Sequence, residues 1–214
     1  YSQAAVDIRA LPKLEGTVHV NIALIVKFMP NFFFNPQEYP EVGTVNEARN
    51  DDFLFDQGST RGLSKIRFHD YQQVFAKFDS PNINIFKQQV EGYRKMLMSN
   101  PPNAEQMKDI DFLLTGGELF ALVVYAQLIL ENAPVYDISE PLLEQIFDFM
   151  VRDFSKFALA LYHKPSSTEA QQQQCLDMIA KPIMDEDRYN AVWNEVHSLK
   201  DAYEMPREDT RSAS

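Results

Sequence analysis

Helix-start signals recur at short intervals through most of this sequence, and nothing in it reads as a strand-rich domain. Ser80-Pro81, Pro101-Pro102-Asn103 with Gln106, Ser139-Glu140-Pro141, Ser166 or Ser167 with Glu169, and Asp185 all suit helix starts. Between them, apolar residues fall three and four apart. Ile85, Phe86, Val90, Tyr93 and Leu97 make one stripe; Met107, Ile110, Leu113 and Leu114 open a second, continued by Leu119, Leu122, Tyr125 and Ile129. Leu143, Ile146, Phe147, Met150, Phe154, Phe157, Ala158 and Leu161 make a third, and Ala191, Val192, Val196 and Leu199 a last. Short connections favour antiparallel neighbours, so the fold class is all-α, its larger part an antiparallel helical bundle.

Ahead of this bundle, Val18, Ile22, Ile25, Val26 and Met29 fall at helical spacing, and Pro30 is expected to end that helix because it lacks an amide. From 31 to 67 periodicity fades, with Pro36, Pro40, Gly43, Gly58 and Gly62 as punctuation and Phe32, Phe33, Phe34, Tyr39, Phe53 and Phe55 as aromatic anchors. This reads as a connector laid over a surface. The expected organisation is residues 1–30 as the end of one helical unit, 31–67 as connector, 68–205 as a helical extension and 206–214 as a polar tail.

Composition narrows the function classes. The 214 residues are 45% hydrophobic and 24% charged with only 7 Gly, which suits a globular core and excludes a collagen-like repeat. A formal net charge of -11 repels phosphate backbones and anionic lipid heads, so nucleic acid is not expected as a partner. The lone Cys175 cannot form an intramolecular disulfide, which fits a reducing cytoplasm. Tyr1 to Arg9 has neither the basic nor the apolar region of a signal peptide, and reads as a chain that begins mid-protein or was processed. The stretch from Val18 to Phe34 is broken by His19, Asn21, Lys27, Pro30 and Asn31, and no membrane-crossing segment is expected.

Few residues carry a chemical signal. Gly116-Gly117 interrupts an apolar helical pattern, where each glycine costs up to about 1 kcal/mol against alanine, so close helix approach or a kink is expected rather than a ligand contact. The four histidines show no i, i+4 pairing and no neighbouring cysteine, and neither Asp51-Asp52 nor Asp185-Glu186-Asp187 has the alternation of a calcium loop; no metal ligand is named. What remains is Lys13-Leu14-Glu15-Gly16-Thr17, directly before the first apolar helix. Its glycine allows close backbone approach to a ligand, its helix start offers free amides, and a hydroxyl stands beside them. The same residues also suit a plain helix-start carboxylate favoured by the dipole.

With its neighbours, that turn resembles the acyl-CoA dehydrogenase family, in which a Tyr-Glu-Gly-Thr turn joins the last core helices. The match is Leu14-Glu15-Gly16-Thr17 followed by Val18 to Ile25, with Leu14 at the family's tyrosine and His19 at a common glutamine. The stretches Ala10 to Thr17, Gly117 to Gln127 and Phe147 to Phe154 are similar to a bacterial branch carrying a helical C-terminal extension.

The resemblance implies an FAD-dependent enzyme that oxidises a fatty acyl-CoA to the 2-enoyl-CoA, as in fatty acid β-oxidation. Glu15 matches the base that removes the α proton, Gly16 a backbone contact to substrate, and Thr17, Val18 and His19 the stretch that touches FAD. An electron-transfer flavoprotein or similar acceptor and a homo-oligomeric assembly are implied partners, with membrane docking disfavoured because only Lys87, Arg94 and Lys95 supply a basic face. Most flavin and CoA contacts would lie upstream of Tyr1. A non-catalytic helical oligomerisation or interaction module is the competing expectation.

Overall fold

Pro30 begins a helix instead of ending one. In the computed structural model, which describes Arg9, residues 16–38 and residues 66–200, α1 (Val18–Ile25) runs through a single 3-10 turn (Val26–Phe28) into α2 (Met29–Phe34), with Pro30 in its first turn. A first-turn amide has no intrahelical acceptor, so proline there costs no hydrogen bond. The continued helix carries Phe32 and Phe33, expected in the connector, into the core. Phe32 stacks on Tyr71 at 5.1 Å and meets Phe120 edge-on at 5.2 Å. Residues 39–65, the rest of the expected connector, and the tail from 206 lie outside the described residues.

Six helices follow: α3 (Tyr71–Phe75), α4 (Pro81–Ser99), α5 (Ile110–Asn132), α6 (Glu140–Tyr162), α7 (Glu169–Asp177) and α8 (Glu186–Ser198), with no strand among the described residues. Ser139 and Asp185 cap α6 and α8, accepting from the amides of Leu142 and Arg188. Two starts differ from expectation. Asn103 only organises a turn, accepting from the amides of Glu105 and Gln106, while Asp109 caps α5 through the amides of Asp111 and Phe112. Met107 and Ile110 are therefore exposed, and the second stripe begins later than they do. At α7 the cap is Thr168, which forms a reciprocal capping box with Gln171, whereas Ser166 donates to Asp109 and Ser167 to the Leu161 carbonyl. The Ser166 bond is the chief reason the Asp109 carboxyl lies below its ordinary value.

Helices α4, α5 and α6 form the centre, with α1 on α5, α7 on α4 and α6, and α8 on α6. Phe86, fully buried on α4, meets Phe147 and Phe154 of α6 edge-on at 5.4 and 5.5 Å. One polar cluster inside the bundle is mutually satisfied: Gln106 bridges Ser166 and Gln171, and Gln171 reaches the Asn100 carbonyl. At the start of α4, the buried Glu144 of α6 accepts from the Ser80 hydroxyl and from the amides of Asn82 and Ile83 at 3.1 and 3.3 Å. A carboxylate there satisfies open amides and meets the positive end of the helix dipole.

The paired glycines serve close approach, as their position in an apolar pattern implies. A Cβ on Gly117 would overlap the Ile22 side chain and stand 2.6 Å from Val26 Cγ2. Gly116 offers its carbonyl to the buried Tyr93 hydroxyl at 2.8 Å, with Met29 Sδ 3.3 Å away, and burial pushes that hydroxyl above its usual range. Gly117→Val should destabilise the fold by about 2 kcal/mol through overpacking against α1. Urea unfolding checks this, and an unchanged midpoint would contradict the contact.

The last expected stripe is not a core stripe. None of the residues of α8 is buried, and Tyr189, Trp193 and Val196 are each more than half exposed. Arg188, Val192 and Glu195 face the bundle instead; Arg188 reaches Glu144 and Asp148 at 3.6 and 3.7 Å, and the Ser139 hydroxyl donates to Glu195 at 2.6 Å. The sequence reading also missed a second property of α5. Its 23 residues are long and apolar enough to cross a membrane, yet half of that stretch is buried inside the bundle.

Candidate active-site turn

The turn before α1 is closed by its own backbone and one side chain. Gly16 adopts φ +102°, a left-handed conformation that a side chain would strain, and a Cβ there would lie 3.2 Å from Asn21 Oδ1. The Asn21 amide group donates back to the Gly16 carbonyl at 3.4 Å, and the Asn21 backbone amide donates to the Thr17 carbonyl at 3.1 Å. Thr17 is the N-cap of α1, extended at φ -67° and ψ 162°, but its hydroxyl makes no capping bond. Among the described residues, no side chain accepts from the first-turn amides or from the Thr17 hydroxyl.

Of the residues the sequence pointed to, Gly16, Thr17, Val18 and His19 fall on this turn and the first turn of α1; Glu15 lies outside the described residues. Thr17, Val18 and His19 are exposed, so they form an open edge and not a closed pocket. Among the described residues, no three His, Cys, Asp or Glu side chains converge to hold a metal ion.

One acidic residue near the turn escaped the sequence reading. Glu118 on α5 is partly buried, which pushes its carboxyl above the usual range, while the His19 imidazole pulls the other way. Its only sequence signal was a carboxylate directly after the glycine pair. Cys175, by contrast, is wholly buried, and burial pushes its thiol up to about 12, which removes it as a nucleophile.

The grooves lie elsewhere. One of about 340 Å³ opens between the starts of α4 and α6, lined by Phe78, Ser80, Ala133 and Leu143 with Lys77, Asp79 and Asp137 at its edge. A second, about 230 Å³ and almost wholly apolar, runs between the C-terminal end of α1 and α5, bounded by Ile25, Phe28, Phe68, Phe120, Val124 and Leu128.

Fold and turn together define an all-α protein with a glycine-dependent helix-start turn at its N-terminal end. No family model, no curated protein and no solved structure matches the chain.

Proposed function

We propose that this chain is the C-terminal part of an FAD-dependent acyl-CoA dehydrogenase, oxidising a fatty acyl-CoA to its 2-enoyl-CoA. The observation that carries the reading is the left-handed Gly16 immediately before α1, because the resemblance demands glycine at that place and the backbone there tolerates little else. Glu15, one residue earlier, takes the α proton onto its carboxylate as the β carbon loses hydride, leaving a carbon–carbon double bond. FAD, when bound, supplies the hydride acceptor, to be reoxidised by an electron-transfer flavoprotein or similar partner. Thr17, Val18 and His19 form one edge of its site, and the Gly16 backbone approaches the thioester, where hydrogen bonds stabilise the developing enolate. The remaining contacts belong to polypeptide upstream of Tyr1, and the working unit is a homo-oligomer.

Visible absorbance of the native assembly, before and after a panel of acyl-CoA thioesters, tests this. A flavin band that bleaches with one chain length supports the reading and names the substrate class. A native assembly without flavin, or one whose band ignores every thioester, overturns it. The alternative of a non-catalytic interaction module is favoured by a separate observation, the exposed apolar residues of α1, α5 and α8.

A further inference from the structure

Two apolar surfaces on this molecule are exposed, one a groove and one a helix face. The groove between α1 and α5 is concave, and Tyr125 and Leu128 in its lining stand about half exposed. The outer face of α8 is convex: Tyr189, Trp193 and Val196 are spaced i, i+4, i+7 and so line one side of the helix. The α8 face that touches α6 is a different one, bearing Arg188, Val192 and Glu195, so docking α8 on its own bundle leaves the aromatic face outward.

We infer that the outer face of α8 from a second copy of this chain docks into the α1/α5 groove, making a head-to-tail contact between copies. A helix presenting anchors at i, i+4 and i+7 to an apolar groove is a common way for a helix to be recognised. Charge selects the occupant. The groove residues Phe28 and Phe68 are directly preceded by the exposed cations Lys27 and Arg67, neither of which makes an ion pair among the described residues. The start of α8 carries Asp185, Glu186 and Asp187, all exposed. A lipid surface fits less well, because the chain carries a net charge of -11 and two cations are few for a membrane-docking face. Within one molecule the contact is not made, since α8 packs on α6 while the groove lies between α1 and α5. Nothing in it depends on dehydrogenase chemistry.

A heterologous contact gives each copy one groove and one helix to offer, so variants of the two halves should complement each other. Sedimentation velocity on the full-length protein over a concentration series is the test, with Trp193→Glu and Leu128→Glu, both at exposed positions and checked for folding by circular dichroism. Wild-type mass should rise with concentration, and each variant alone should hold the mass of the dissociated form. An equimolar mixture should reach about twice that mass, because Trp193→Glu retains the groove and Leu128→Glu retains the helix. Wild-type mass in both variants, or a mixture that fails to pair, overturns the contact. Loss of mass in Leu128→Glu alone also overturns it, by showing a groove that pairs with itself. Binding of wild type but not Leu128→Glu to neutral phosphatidylcholine vesicles, with no self-association, would assign the groove to lipid instead.

Discussion

On the proposed dehydrogenase reading, replacing Glu15 by Gln in the full-length protein should lower acyl-CoA turnover by roughly 10²- to 10⁴-fold, the usual contribution of a positioned general base. The amide keeps the volume and hydrogen-bonding reach of the carboxylate but cannot accept the α proton. The loss should appear in kcat and far less in KM, because the base acts as the carbon–hydrogen bond breaks and contributes little to thioester binding. Rapid-mixing absorbance isolates the step: the variant should bind the thioester and retain its flavin while the flavin reduces slowly. Near-normal reduction would remove Glu15 from the mechanism and leave it as a helix-start carboxylate. Gly16→Ala is the companion measurement, since it strains the turn without touching the base. Reduced rates in both would locate the chemistry at this turn.

The second large effect is structural. Glu144→Ala should destabilise the protein by about 3–5 kcal/mol, because it removes one partner of a buried ion pair. The Ser80 hydroxyl and two amides at the start of α4 lose their acceptor, and Arg188, with a side chain only 9% exposed, loses a counter-charge. At about 2–4 °C per kcal/mol for a chain of this size, thermal unfolding followed by circular dichroism should shift down by roughly 6–20 °C. Arg188 keeps Asp148 as a counter-charge at 3.7 Å, so adding Arg188→Met separates the two causes: a double variant no better than the single one would show that only the α4 cap matters, and partial recovery would show that the cation left by Glu144 contributes. A shift under about 2 °C in Glu144→Ala would mean that water replaces the carboxylate at the helix start.

The polar centre around Glu144 also marks where sequence reading stopped. Ser139 and Asp185 were legible as helix starts because a cap acts within three residues, Ser80-Pro81 because proline suits a first helical turn, and the stripe from Leu143 to Leu161 because burial on one face repeats with the helical period. The glycine pair was read for close approach on the same local grounds, and the Gly16 turn by its place before an apolar helix. Nothing local could reveal that Glu144 accepts from the Asn82 amide, 62 residues before it, or that Gln106 and Gln171 complete each other's hydrogen bonds. Their partners are distant in the chain, and a polar residue's preference for exposure is overturned only when such a partner exists.

Pro30, Asn103 and α8 show the same division at the level of whole elements. A proline stops one helix or opens the next depending on whether apolar contacts reward the continuation, and here Phe32 and Phe33 find Tyr71 and Phe120. Asn103 and Asp109 were both competent caps, and the tertiary bond from Ser166 to Asp109 accompanies the later start. The sequence by itself determined that the described chain is helical and where most of its helices begin, because caps and periodicity act over single turns. Tertiary structure alone decided which apolar stripes became core and which stayed surface. On α8 the pull of Arg188 toward two buried carboxylates turned Tyr189, Trp193 and Val196 outward, an outcome set by groups on another helix.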